Sequence, residues 1–300
     1  MKKLRKELLV SILIAVMSIH LSCEKETLEI EKEEEKENPS KPSNIDLSNW
    51  KVTLPIARAD GKALEIHPPQ ILEYATNEQI QPFMYNDADG ALVFRTYPTG
   101  ATTANSSYAR TELREQMVAG DDKTNWTFKQ GANFKATLAM GEVSKYDTYN
   151  DSKYKGEYHP TAVMQIHGRL TDAQRDLINK DDNNAPPVLI VLWYRENIVA
   201  RVKELKDLSA SYAESLEYNS WGTRTYAFPE PVGFEKFTLE VKVTEGRMEV
   251  IVNGVSKVYD DIHIERWGVF ENYFKAGNYL VTGDPIAKTE VKYYALEVSH

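Results

Sequence analysis

Between residues 91 and 298 the chain returns again and again to an alternation of apolar and polar residues with a period of two. That period belongs to strands with one buried face, not to helices. Segments 91–97 (ALVFRTY) and 134–140 (FKATLAM) show it clearly. Segment 237–243, Glu245-Gly246 and segment 248–252 read as a hairpin, and Asn253-Gly254 begins the next turn. Segment 291–298 closes the series. The run 188–194 (VLIVLWY) is continuously apolar, which predicts a strand covered on both faces. Helical signals are confined to 69–74 and to 172–179 behind Thr171 as N-cap. No internal repeat occurs. Many short strands separated by turn signals predict an all-β jelly-roll sandwich.

This domain is expected over 45–300. Residues 1–22 have a basic start (MKKLRK) and an apolar stretch from Leu8 to Ile19, the pattern of a signal peptide. The stretch is too short to span a bilayer comfortably. Cys23, the single cysteine, stands where a lipoprotein leader places its acylated residue. An ordinary secretory leader with an incidental cysteine is the alternative. Residues 23–44 then form an acidic tether, Glu-rich and ending in Pro39 and Pro42, which cannot bury enough apolar surface to fold. The expectation is an exported protein held by lipid alone in the outer membrane, facing outward, and otherwise monomeric. The formal net charge of -9 argues against broad nucleic-acid binding. It leaves room for a polyanion, if cations gather in one cleft.

Three segments depart from the plain in-out rule. On a strand, Arg110, Glu112 and Arg114 share one face, opposite Ala109, Thr111 and Leu113. Gln165 and His167 share a face with Val163, opposite Met164 and Ile166. Tyr273, Lys275, Gly277 and Tyr279 oppose Phe274, Ala276 and Leu280. Taken singly, each is a common surface pattern. Brought together in one sheet, they would line a cationic groove, with Gly277 letting a ligand approach the backbone.

These residues carry a resemblance. RTELR at 110–114, QIH at 165–167 and YFKAGNY at 273–279 resemble the three signature motifs of the family 7 polysaccharide lyases, the alginate lyases. The opening LSNWKVTLP at 47–55 is similar to that family's domain start. The resemblance implies a β-jelly roll of two antiparallel sheets with the substrate on the concave one. It implies that Arg110, Gln165, His167 and Tyr279 are catalytic, and that Glu112, Arg114, Lys275 and Tyr273 hold substrate or brace the others. Val281 departs from the glutamine usual in the third motif. Ile166 resembles the guluronate-leaning form of the second.

The implied reaction is β-elimination in a chain of 1,4-linked uronates, and alginate is the expected partner. The C5 proton lies beside a carboxylate, so its removal needs neutralising cations, a base and a proton donor for O4. Arg110 and Gln165 suit the carboxylate; His167 and Tyr279 are candidates for base and acid. Tyr279 is a possible base for mannuronate and His167 for guluronate. No cofactor and no metal are expected. Rival readings are a non-catalytic carbohydrate-binding jelly roll, a lyase for another polyuronate, and a glycoside hydrolase, which needs two flanking carboxylates. Glu112, between arginines, should be acidified and unsuited to that role. Segments 144–160 and 168–187 look like extra loops that could close a groove, which favours exolytic action. Trp126, Trp193, Trp221 and Trp267 read as packing residues. His67, His159 and His263 receive no role. Arg195 and Arg201 flank the apolar strand near the expected groove.

Overall fold

A computed structural model describes residues 43–148 and 153–300; the leader, Cys23 and most of the tether lie outside the described residues. The strands are β1 (Trp50–Ala57), β2 (Ala63–Ile66), β3 (Met84–Asn86), β4 (Leu92–Thr96), β5 (Arg110–Glu115), β6 (Trp126–Thr127), β7 (Ala132–Val143) and β8 (Thr161–Arg169). They continue with β9 (Asn184–Tyr194), β10 (Asn197–Leu205), β11 (Trp221–Ala227), β12 (Phe237–Thr244), β13 (Arg247–Val252), β14 (Val255–Tyr259), β15 (Glu271–Leu280) and β16 (Thr289–Ser299). One sheet runs β11-β10-β9-β8-β15-β5-β1-β2, with β6 paired to β15. The other runs β14-β13-β12-β7-β16-β4-β3. Every pairing between named strands is antiparallel, and the two inner faces share one apolar core, so the jelly-roll sandwich is as expected.

The local signals explain the elements. Thr171 and Gln174 form a reciprocal capping box at the start of helix α1 (Asp172–Leu177). Gly246 (φ 68°) closes the β12–β13 hairpin, and Asn253-Gly254 (φ 47° and 80°) turns β13 into β14. The four tryptophans named above are core residues, none more than 3% exposed. Strand β9 is covered twice. Leu189, Val191 and Trp193 enter the main core, while Leu192 joins Ala162 and Val199 in a small apolar cluster on the other face. Among the described residues, no helix is long and apolar enough to cross a membrane.

Two expectations about faces are corrected. Val163 does not share a face with Gln165 and His167; it lies in the main core. Opposite it, β15 inserts an extra residue between Ala276, which faces Met164, and Tyr279, which faces Ala162. On its other side Val163 is itself an extra residue, since Met164 faces Val191 and Ala162 faces Leu192 on β9, so β8 changes side at Val163 while Tyr279 stays on the face of Tyr273 and Lys275. The Tyr293 hydroxyl from the other sheet donates to the Val163 carbonyl and accepts from Gly277 N–H at 3.2 Å. Nor does Gly277 clear space for a ligand. Its φ of 126° turns a Cβ inward, 2.7 Å from the Thr111 carbonyl oxygen and 3.2 Å from the Phe94 ring. Next to it, buried Asn278 donates to the carbonyls of Phe94 (2.9 Å) and Thr289 (2.8 Å), tying the sheets together. Gly277→Ala therefore meets both a strained backbone and a backbone clash. It is expected to cost about 2–4 kcal/mol, read as a lower urea midpoint at unchanged slope.

Candidate active site

The register of the larger sheet sets the site. Lys51 faces Arg114, Arg114 faces Lys275, and Lys275 faces Gln165 across β1, β5, β15 and β8. One step along the strands, Tyr273 faces His167; in the opposite direction, Tyr279 faces Arg110. Residues far apart in sequence thus become one patch, because antiparallel registry keeps equivalent faces together.

Glu112 organises that patch. Its carboxylate is 1% exposed and takes the Lys275 ammonium at 2.5 Å, Arg110 at 2.8 Å and the Gln165 amide at 2.5 Å. Burial raises the Glu112 carboxyl, but Lys275 and Arg110 outweigh it, so the net shift is downward. The acidification expected from sequence is present, with Lys275 in the place assumed for Arg114. Arg114 turns elsewhere. It donates to the Glu115 and Asp122 carbonyls (2.8 Å each), to Asn125 (2.9 Å), and packs on the Tyr273 ring at 4.2 Å. It braces the site.

A cleft of about 330 Å³ opens over this patch. Its wall includes Arg110, Arg114, His167, Tyr273 and Lys275. Gln165 and Glu112 lie beneath as its floor, 3% and 1% exposed. Tyr279 stands behind Arg110, whose guanidinium covers its ring at 4.0 Å; its hydroxyl meets Ser106 at 3.1 Å. The expected cationic groove is present but largely neutralised. The wall carries five cations, yet with Glu112 it also carries four carboxylates, and Lys51 is paired to Glu65 (3.0 Å) and Asp122 (2.6 Å). What remains directed is Arg110. Only 8% exposed, it keeps an Nε–H without a partner among the described residues.

Protonation follows from these contacts. The His167 Nδ1 lies 2.9 Å from the Gly168 carbonyl, which can only accept. Nδ1 therefore carries hydrogen and Nε2 keeps its lone pair. The ring stacks on Tyr273 at 5.3 Å. Burial and the Lys275 charge push His167 down to about 3, so the ring is neutral. Burial pushes Lys275 down to about 8, helped by Arg110. Burial raises Tyr279 above its ordinary value, against the pull of Arg110.

The sequence reading missed several wall residues. Arg169 continues the period of Gln165 and His167 by one more step, and pairs with Glu271 at 2.9 Å. Lys51 alternates with apolar neighbours in the opening motif. Asn105, Asp182 and Asn183 come from loops and Asn184 from the first position of β9, where no periodicity announces them. Asn105 donates to Asp182 at 2.9 Å, so two lining loops meet. Glu65, His67 and Asp122 could together hold a cation, but the Lys51 ammonium occupies the position between the two carboxylates. His159 is buried between Ser144 (2.9 Å) and Asp284 (3.1 Å). Ser144 donates to the Lys288 carbonyl, so this trio is a brace for the chain around it.

Residues 45–300 match the family model described as alginate lyase. The chain belongs to this family. A curated alginate lyase of Klebsiella pneumoniae is 25% identical over 294 residues, covering 87% of this chain and 92% of its own. The solved alginate lyase A1-II', a member of polysaccharide lyase family 7, is 28% identical, covers 86% and 96% of the two chains, and superposes with a TM-score of 0.65. The alginate lyase PA1167 of Pseudomonas aeruginosa shares the fold at 24% identity and a TM-score of 0.62, over 85% and 99%. In this lyase the shared carboxylate of Glu112 is the test of the site's construction. Glu112→Gln leaves Lys275 and Arg110 buried beside a neutral amide. The expected cost is about 3–5 kcal/mol, read as a fall in thermal midpoint, together with loss of measurable lyase activity.

Proposed function

We propose that the protein depolymerises alginate by β-elimination, with His167 as base and Tyr279 as acid. The observation that carries the reading is the His167 tautomer: a neutral ring, held by Gly168, presenting an Nε2 lone pair beside Arg110 and Lys275. The uronate carboxylate binds Arg110 in the cleft wall, with Gln165 fixed beneath it by Glu112. His167 takes the C5 proton. The C5 electron pair forms the C4–C5 double bond, the C4–O4 bond breaks, and Tyr279 gives its proton to O4. Cations already in place offset the charge that builds on the carboxylate. Bound uronate also raises the basicity of His167, because a negative charge favours the imidazolium.

The same groups favour guluronate. A tyrosinate base at pH 8 would cost more than about 2.7 kcal/mol, because the Tyr279 phenol starts above 10. Routes that need Tyr279 as base are therefore handicapped, while the His167 route is not. In keeping with this, variants of the similar lyase A1-II' hold a GGG product and a GGMG substrate. Support for exolytic action comes from the joined loops: Asn105 and Asp182, both lining the cleft, bond to each other across it. A non-catalytic binder would have no use for an oriented imidazole beside a protonated phenol.

Export, a lipid on Cys23 and an outward-facing outer-membrane position are proposed from the sequence alone. Palmitate labelling that is lost in Cys23→Ser would support them; labelling that persists would overturn the anchor.

The deciding assay follows absorbance near 235 nm on alginate blocks, with products sized at low conversion and rates taken from pH 4 to 10. Expected are a faster rise on guluronate blocks, mono- or disaccharide products beside long polymer, and an alkaline fall centred near pH 8. That fall is the loss of the Lys275 proton, which removes a cation facing the substrate. No acid limb is expected near 6.5, because His167 is already neutral there. Intermediate oligomers would overturn the exolytic reading. No rise on any polyuronate would overturn the lyase.

A further inference from the structure

The transverse row that holds the candidate active site does not stop at Gln165. Gln165 faces Ile190 on β9, and Ile190 faces Arg201 on β10. Arg201 is therefore in register with Lys51, Arg114, Lys275 and Gln165, on the same face of the sheet. It stands three strands from Lys275, about 14 Å at the usual strand spacing.

Arg201 differs from Arg114 of that row and from Arg110 further along β5. Arg110 and Arg114 are engaged by carboxylates or carbonyls. Arg201 is exposed, and its side chain has no hydrogen bond, ion pair or ring contact among the described residues. It lines two hollows at once. One, of about 290 Å³, has walls of Tyr108, Tyr146, Tyr154 and Tyr194 over a Leu192 floor. The other, of about 350 Å³, includes Lys203, Tyr218 and Thr223. The first hollow abuts the reaction site, because the Tyr108 ring packs against Tyr279 at 6.1 Å. Its floor is the small apolar cluster in which Tyr279 and Val281 also pack.

We propose that Arg201 and the tyrosine-lined hollow form a distal subsite for a uronate unit of the bound chain. The aromatic walls match the apolar face of a pyranose ring, and the guanidinium takes its carboxylate as a two-pronged donor. Such walls with one placed charge are the usual make-up of a small-molecule site. The cation also lies outside the cleft, where neighbouring carboxylates leave little net charge. An anionic chain crossing the sheet meets its next free positive charge at Arg201.

This inference rests on the polyuronate reading and deepens it. The test separates the two. Calorimetric titration of saturated oligoguluronate into Tyr279→Phe, and into Tyr279→Phe with Arg201→Ala, reads binding without turnover. The second protein is expected to bind about tenfold more weakly, the size of one charge-assisted contact, with partial recovery in Arg201→Lys. Equal affinities would overturn the subsite. In parallel, Arg201→Ala alone should lose efficiency on long alginate through KM, with kcat much less affected; an unchanged KM also overturns it. This second arm does not depend on the Tyr279 background folding well. If the wild-type protein gives no 235 nm rise but binds oligouronate through Arg201, the lyase reading falls and the subsite stands. If it binds no oligouronate, both fall.

Discussion

One buried carboxylate holds the functional face of this protein together. Glu112 sits in the middle strand of the patch and accepts from Arg110, Lys275 and Gln165, drawn from three different strands. Taking that charge out of water is costly, and three donors at 2.5–2.8 Å offset the cost. The arrangement fixes the direction of each donor. It also sets their proton affinities: the Glu112 carboxyl is held low, and Lys275 is brought near neutrality mainly by burial and by Arg110. A substrate carboxylate therefore meets groups that are already oriented, which is where electrostatic catalysis gains most over water.

The surroundings serve that core of the site. Arg114 and Lys51 spend their charges on Asp122, Glu65 and backbone carbonyls, so they stiffen the wall and lend little free charge. The extra residue Val163 on β8 turns Ala162 outward beside Leu192 and beneath Tyr279, giving the phenol an apolar seat. That seat raises the Tyr279 proton affinity, which suits a donor and not a base. Gly277, Tyr293 and Asn278 keep the bulge and bind the two sheets at the same level. The apolar setting of this phenol is thus built from a packing irregularity in the neighbouring strand.

Much of this was legible in the chain itself. The period-two alternation announced the sandwich, the turn dipeptides its hairpins, and the three polar-faced segments supplied Arg110, Glu112, Gln165, His167, Lys275 and Tyr279 as candidates. These are local signals, because side-chain alternation and turn chemistry are set by neighbours in sequence. Arg169 was legible too, one period beyond His167. Only the tertiary structure decided the rest. A bulge shifts faces without leaving a mark in composition, so Val163 and Gly277 were misplaced. Pairing across strands decided that Lys275, and not Arg114, neutralises Glu112, and that Arg201 shares their row. Burial, a property of the whole fold, decided which of Tyr279 and His167 holds its proton. Loop contacts such as Asn105 with Asp182 join residues with no shared periodicity, and distances of that kind exist only once the chain has folded.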